Sequence, residues 1–199
     1  MTYPFPSGTL QKVFSDAVDL RKQILGDASF EEIMKRSAGE CIRSLQSGGK
    51  ILFCGNGGSA ADAQHLAAEL SGRFAFDRPP LPAEALHVNT SYLTAVANDY
   101  SYDVVYSRWI RAWGKKGDVL VALSTGGNSP NVINALKEAR SLEMFCLGMS
   151  GRTGGEMKAH CQEIFCVPSD VTARIQEVHI TLGHVLCEVI EEVLFKSAS

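Results

Sequence analysis

The sequence predicts an α/β fold: a five-stranded parallel sheet, doubly wound with helices on both faces and preceded by two N-terminal helices. Three observations predict it. Short apolar runs alternate with helical periodicity after residue 50, the first 50 residues show helical periodicity alone, and Gly/Ser-rich loops follow two of the apolar runs. With 199 residues, of which 45% are hydrophobic and 21% charged, the chain is long enough for one complete core. We expect a single domain over residues 1–199, with a helical region at 1–49 and an α/β core with a C-terminal helix at 50–199.

The N-terminal region is predicted to form two helices. Apolar residues recur at helical spacing from Leu10 to Leu25, which indicates the first helix. The second is predicted to begin near Ser29, because the segment Ser29–Glu32 has the capping-box pattern, and to end at the glycine pair 48–49. These helices either form a surface for a partner or cover the chain's own sheet, and the pattern favours neither.

The remaining chain alternates strands with helices, which predicts a parallel sheet. A helix is predicted after the first and third strands, the latter with Pro130 in its first turn, and a long final helix covers about Thr172 to Phe195. The five predicted strands are Ile51–Cys54, Ala83–Val88, Val119–Leu123, Met144–Met149 and Ile164–Val167.

Charge, hydropathy and cysteine content exclude several classes of protein. There are 19 Lys+Arg and 22 Asp+Glu, a net charge of −3, and no basic run, so we expect no nucleic-acid partner. No apolar stretch reaches the length of a membrane span, and the segment Met1–Pro6 lacks the basic and apolar regions of a signal peptide. The six cysteines form no C-x-x-C pair, which favours buried free thiols. We therefore expect no membrane partner and a cytoplasmic location.

Two Gly/Ser-rich loops, Gly55–Ser59 and Ser124–Ser129, each follow a predicted strand and precede a predicted helix. Such loops lie at the carboxyl edge of a parallel sheet, where ligands of open α/β folds bind. Glycine allows close approach of a ligand, and a helix N-terminus attracts an anion. Tight turns also need glycine, but two serine-bearing loops favour a phosphorylated ligand. Neither loop has the spacing of the common nucleotide-binding motifs.

His65 and Glu69 lie four residues apart on the helix after the first loop, so both side chains share one face. That geometry suits two ligands on one metal or an acid/base pair. The alternative is an ordinary solvated contact on a helix surface.

Polar residues also interrupt the apolar final helix. Gln176 and His184 are eight residues apart, or about 12 Å along a helix. One metal reaches both only if the helix start is irregular or if the site is shared between subunits. His179 is expected to be a structural histidine that is paired with another polar group. His87 and His160 are also expected to be structural.

Two further pairs have alternative interpretations. Trp109 and Trp113 are expected in the core or at a subunit contact rather than as a stacking platform. Asn98 and Asp99 end a short predicted helix as a cap or turn, or contact the substrate if that loop faces the cleft.

Taken together, these motifs resemble the SIS-domain phosphoheptose isomerases, over nearly the whole chain. The matching segments are GNGGSAADAQHLAAELSGRF at 55–74, Asn98-Asp99, LSTGGNSPNV at 123–132, RIQEVHI at 174–180 and His184. The resemblance implies a five-stranded SIS domain assembled as a homotetramer with active sites near subunit interfaces. It implies conversion of sedoheptulose 7-phosphate to D-glycero-D-manno-heptose 7-phosphate, the first step towards the ADP/GDP-heptose used in lipopolysaccharide or related glycans.

The resemblance also implies the site residues. One zinc per subunit is expected at His65, Glu69, Gln176 and His184. Sugar-phosphate contacts are expected from Asn56, Gly57, Gly58, Ser59, Glu69, Asn98, Asp99, Ser124, Thr125, Gly126, Ser129 and Gln176. One departure concerns Gly126, which replaces the middle serine of the family's usual Ser-Thr-Ser-Gly-Asn-Ser loop, so a hydroxyl donor to the phosphate is lost there.

Aldose–ketose isomerisation needs a base at carbon, an acid at oxygen and stabilisation of the enediolate. We assign the base to Glu69, the second proton transfer to His184 and polarisation of the oxygens to zinc. A carboxylate bound tightly to zinc is a weaker base, so Glu69 is expected to act as base, ligand or both.

There are three alternatives, of which the first and the third belong to other classes of protein. A SIS-domain protein that binds a replication initiator without catalysis has no reason to combine His65, Glu69, Gln176 and His184. An isomerase of another sugar phosphate remains an alternative, because the shape of the pocket determines which length of sugar binds. A sugar-phosphate-sensing regulator normally carries a DNA-binding segment, and the sequence has no basic helix-turn-helix.

Overall fold

The computed structural model describes residues 6–196, and its central sheet has five parallel strands in the order β2-β1-β3-β4-β5. The predicted α/β class and the two helices ahead of the first strand are therefore confirmed. The absence of a signal peptide was predicted mainly from residues 1–5, which lie outside the described part. The strands are β1 Ile51–Gly55, β2 Ala83–Ala85, β3 Val119–Ser124, β4 Phe145–Ser150 and β5 Glu163–Cys166.

Seven α-helices and two short 3₁₀ helices, at Tyr102–Val104 and Glu156–His160, surround this sheet in the described part. Helices α2, α3 and α7 pack on one face, and α4, α5 and α6 pack on the other. Between residues 6 and 196 there is no helix both long and apolar enough to cross a membrane. The helices are α1 Thr9–Leu25, α2 Ala28–Gln46, α3 Gly58–Ser71, α4 Thr90–Asp99, α5 Val105–Trp113, α6 Pro130–Ser141 and α7 Thr172–Phe195.

The structure corrects the end of the second strand and the cap of the second helix. The second strand ends at Ala85 rather than Val88, because β2 is an edge strand with β1 as its one neighbour, and the chain turns before Asn89 caps α4. Helix α2 begins at Ala28, because the Asp27 carboxylate accepts a hydrogen bond from the Ser29 amide at 2.9 Å. Asp27 is thus the N-cap, and no capping box starts at Ser29.

Helix α1 buries little of its apolar surface in this chain. Leu20 is buried against α7, whereas Leu10, Phe14 and Leu25 are 62%, 65% and 86% exposed. Of the two predicted roles, covering the chain's own sheet therefore accounts for only a small part of the apolar surface of α1.

A buried ion pair fixes the segment that follows α3. Arg78 and Glu191 have side-chain exposures of 1% and 0%, and their Nε and Oε1 atoms are 2.9 Å apart. Arg78 also donates to the carbonyls of Glu69, Leu70 and Gly72 at the end of α3, where carbonyls lack acceptor bonds within the helix. Because both charges are out of water, removing either partner would leave an uncompensated buried charge.

Helices α3 and α7 approach closely and run in the same direction. Gln176 lies against Gly58 at the start of α3, and Gly183 lies against Leu66 further along. A Cβ placed at Gly183 would lie 2.4 Å from Leu66 Cδ1, which is far inside contact distance. Glycine at position 183 therefore sets the distance between the two helices.

Replacing Gly183 with alanine is expected to destabilise the protein. Overpacking against Leu66 costs about 1–3 kcal/mol, which outweighs the gain in helix propensity of about 1 kcal/mol. The matched control is Gly39→Ala on α2, where a Cβ meets no described atom within 4 Å and only the propensity gain applies. Urea unfolding should give opposite signs for the two variants. Equal stabilisation by both would contradict the packing constraint.

Candidate active site

The two Gly/Ser-rich loops lie side by side at the carboxyl edge of the sheet. They do so because β1 and β3 are neighbours, with Gly55 in register with Leu123. The first loop turns tightly into α3, and a Cβ at Gly55 would lie 2.6 Å from the Ser59 carbonyl oxygen. The N-termini of α3 and α6 therefore both lie at the carboxyl edge of the sheet, where the positive ends of the helix dipoles favour an anion.

The shape of the second loop depends on a glycine, a contact between two hydroxyls and a backbone hydrogen bond. Ser124 Oγ and Ser129 Oγ are 3.1 Å apart, and the Thr125 carbonyl accepts a hydrogen bond from the Gly151 amide at 2.9 Å. Gly127 has φ of +68° and lies directly against the Gly154 carbonyl, so no other residue fits there. Gly126 is different, because a Cβ at that position meets no described atom within 4 Å.

In the first loop, the Asn56 side chain is engaged within the protein. It forms two reciprocal amide hydrogen bonds with Asn131, at 2.9 and 2.8 Å. Ser59 is buried at the first turn of α3, whereas Gly57 and Gly58 are exposed. The backbone at 57 and 58 is thus the part of this loop most open to a ligand.

Three side chains converge between α3 and α7. His65 Nε2 lies 3.0 Å from His184 Nε2 and 3.2 Å from Glu69 Oε1. The shared helix face predicted for His65 and Glu69 is therefore present, and α7 adds His184 to it. The Phe74 ring packs against His184 with 5.6 Å between ring centroids, which limits the imidazole's rotation.

The donor set of this cluster fits zinc. Two imidazole nitrogens and one carboxylate oxygen lie within 4.8 Å of one another, and these are common zinc ligands. Zinc bonds of about 2.0–2.1 Å in a tetrahedron separate neighbouring ligand atoms by about 3.3 Å. The 3.0 and 3.2 Å separations match that spacing closely. A fourth ligand position is left for another group.

The structure does not bring Gln176 to this cluster within one chain. Its amide lies against Gly58, seven residues and about 10 Å before His65 along α3. Helix α7 is continuous from Thr172 to Phe195, so an irregular start does not shorten the distance to His184. Gln176 as a ligand of the same metal therefore stays a prediction, and it requires a second subunit.

Asn98 and Asp99 end helix α4, as predicted, and both are exposed. Asn98 Nδ2 donates to Asp99 Oδ1 at 2.9 Å, so the two side chains contact each other. The chain then continues to Tyr102, whose hydroxyl reaches Asn56 of the first loop. This segment therefore adjoins the candidate site, although sequence analysis did not single out Tyr102.

Asp62 is a second residue that sequence analysis missed. It lies three residues before His65, and its Oδ2 atom is buried with no hydrogen-bond partner among the described residues. Burial raises the pKa of this carboxyl, while the nearby His65 and His184 lower it. The i, i+3 spacing from His65 could have identified it, because it has the same face-sharing property as Glu69.

The residues predicted to be structural lie outside the cluster of His65, Glu69 and His184. His179 is fully buried and its Nε2 donates to the Ser150 carbonyl, which confirms a paired structural histidine. Burial lowers its pKa to about 4. His87 lies in the turn after β2, and His160 ends the second 3₁₀ helix. Trp109 is half-buried beside Trp113, which is 60% exposed.

Comparison with known proteins gives a consistent result. A family model described as SIS domain matches residues 15–151. A phosphoheptose isomerase of Burkholderia pseudomallei is 48% identical over 181 residues, covering 91% of this chain and 92% of that protein.

Two solved structures are also similar. A phosphoheptose isomerase from Neisseria gonorrhoeae has a TM-score of 0.84 at 42% identity, covering 91% of this chain and 97% of that one. A phosphoheptose isomerase from Francisella tularensis has a TM-score of 0.90 at 31% identity, covering 95% and 100%. The chain therefore belongs to the SIS-domain family and, within it, to the phosphoheptose isomerases.

Proposed function

We propose that the protein converts sedoheptulose 7-phosphate to D-glycero-D-manno-heptose 7-phosphate, the first step of ADP/GDP-heptose biosynthesis. One observation carries the proposal: helix α3 begins at a phosphate-type loop and carries His65 and Glu69, which meet His184. A phosphate anchor and proton-transfer groups are thus held by one rigid element. The identity to curated phosphoheptose isomerases supports the same substrate.

The proton transfers follow from the residue types. The Glu69 carboxylate takes the proton from C1 of the ketose, and His184 delivers a proton to the C2 oxygen, which gives the enediol. His184 then takes the proton of the C1 hydroxyl, and Glu69 returns its proton to C2, which gives the aldose. Each residue ends in its starting state, and no atom is gained or lost.

Zinc is the proposed metal, one per subunit, held by His65, Glu69 and His184 with Gln176 from a second subunit. When bound, it supplies a Lewis acid that polarises the carbonyl and hydroxyl oxygens. The Glu69 carboxylate has two oxygens, and Oε1 faces His65. The other oxygen is available as the base, which reconciles the two roles expected of this residue. His184 Nε2 faces His65 and would hold the metal, so Nδ1 is the atom of His184 that would transfer the proton.

A homotetramer with active sites near subunit interfaces is the proposed assembly. The exposed apolar side chains of Leu10, Phe14 and Leu25 on α1 support a protein–protein contact. The separation between Gln176 and the cluster supports sites completed across that contact. We place the enzyme in the cytoplasm, where the six free cysteine thiols would stay reduced.

Replacing Glu69 with glutamine tests the function and the base together. In D₂O, the wild-type enzyme should form heptose 7-phosphate carrying deuterium at C2. The Glu69→Gln variant should lose about 10²- to 10⁴-fold in turnover, because an amide cannot accept the proton. NMR of the product and zinc analysis of the protein are the measurements.

The matched control is Glu188→Gln, an exposed carboxylate on α7 that should leave turnover unchanged. Near-normal turnover by Glu69→Gln would contradict the base assignment. A folded wild-type protein with no turnover would contradict the substrate, and would favour another sugar phosphate or a non-catalytic binding protein.

Mixed oligomers test the shared site. His65→Ala and Gln176→Ala should each be inactive as pure proteins. If Gln176 serves a neighbouring subunit, unfolding and refolding the two variants together should restore activity, because some sites combine an intact His65 with an intact Gln176. Measured turnover of the mixture that remains at the level of the pure variants would show that both residues act within one chain.

A further inference from the structure

The two ligand-facing loops are joined by one pair of asparagine side chains. Asn56 lies in the first loop and Asn131 at the start of α6, which follows the second. Asn56 Nδ2 donates to Asn131 Oδ1 at 2.9 Å, and Asn131 Nδ2 donates to Asn56 Oδ1 at 2.8 Å. Asn131 is only 2% exposed and Asn56 is half-buried, so these bonds are partly shielded from water.

A reciprocal amide pair of this kind has two equivalent orientations, because turning both amides over exchanges donors and acceptors. The surroundings remove that ambiguity through the Val132 amide, which can only donate. The Val132 amide donates to Asn131 Oδ1 at 3.0 Å, and the Tyr102 hydroxyl donates to Asn56 Oδ1 at 3.2 Å. The Val132 amide therefore identifies Asn131 Oδ1, and the reciprocal pairing then identifies Asn56 Oδ1, to which the Tyr102 hydroxyl donates.

Tyr106 contacts the end of β1 and Asn56 from the buried side. Its buried hydroxyl donates to the Gly55 carbonyl at 2.5 Å and lies 3.5 Å from Asn56 Oδ1. Tyr102 and Tyr106 thus contact the end of β1 and the first loop from the segment after α4. Asn56 Oδ1 is occupied, and one of the two Nδ2 hydrogens of Asn56 is engaged with Asn131.

We propose that Tyr102, Tyr106 and Asn131 are positioning residues, which fix the spacing of the two loops and direct the second Asn56 N–H towards the bound sugar phosphate. The proposal rests on the proposed function. It assigns these residues no contact with reacting atoms. Their effect is on substrate binding in the ground state, so it appears in KM rather than in kcat.

Tyr102→Phe is the sharpest test, because Tyr102 is 47% exposed and the change removes one hydroxyl without opening a cavity. The expected result is a KM for sedoheptulose 7-phosphate raised about 3- to 10-fold, a kcat within about twofold and an unchanged melting temperature. The matched control is Tyr92→Phe, which removes a hydroxyl bond to the Val105 carbonyl on the same face of the sheet and should leave KM unchanged.

Asn131→Ala provides the second arm. It should raise KM about tenfold or more, and the double variant with Tyr102→Phe should lose less than the product of the single effects, because both act through Asn56. Calorimetric binding of sedoheptulose 7-phosphate gives the same comparison without turnover. Binding by a wild-type protein that does not turn over would overturn the proposed function, while the variants would still test the positioning.

Unchanged affinity in Tyr102→Phe, or strictly multiplicative effects in the double variant, would overturn the positioning role. Equal losses in Tyr92→Phe and Tyr102→Phe would also overturn it, since they would indicate a general packing effect. A wild-type protein that neither binds nor isomerises the substrate would overturn both proposals.

Discussion

The close, parallel packing of α3 on α7 is the constraint on which the candidate site depends. Gly183 lets Leu66 lie directly against α7, and the neighbouring pair His65 and His184 then meets with 3.0 Å between Nε2 atoms. Helix α3, which carries His65, begins at the first Gly/Ser-rich loop. The first loop and the His65–Glu69–His184 cluster are therefore held at a fixed separation by α3, and any change in the position of α3 moves both.

The buried pair Arg78–Glu191 secures the far end of that helix. Arg78 binds the last carbonyls of α3, including that of Glu69, and Glu191 accepts from the Phe74 and Ala75 amides. Phe74 is thereby held against the His184 ring. A buried ion pair is weak evidence for net stability, but here its hydrogen bonds determine where the chain turns after α3.

Much of the fold could be predicted from the sequence because buried parallel strands read as continuous apolar runs. The edge strand β2 has three residues and one neighbour, so its end could not be located from hydropathy. Asp27 was missed as the N-cap because Ser29 also matches a capping pattern. The pairing of His65 with Glu69 followed from helical spacing, since four residues make one turn.

Other features depend on contacts that no local pattern contains. Asn131 lies 75 residues from Asn56, and Tyr102 lies 46 residues from it, so their network appears only in the folded chain. The distance between Gln176 and His184 was predictable from helix geometry. Whether Gln176 of a second subunit reaches the cluster was not predictable, because the sequence of one chain does not specify how copies of it pack together.

The most direct measurement is turnover of sedoheptulose 7-phosphate before chelation, after complete removal of metal, and after addition of zinc, with metal content measured at each stage. We expect activity to fall with the metal and to return at one zinc per subunit, and we expect His184→Ala to bind zinc weakly and to stay inactive. Full activity in protein proven free of metal would contradict the role assigned to the His65–Glu69–His184 cluster.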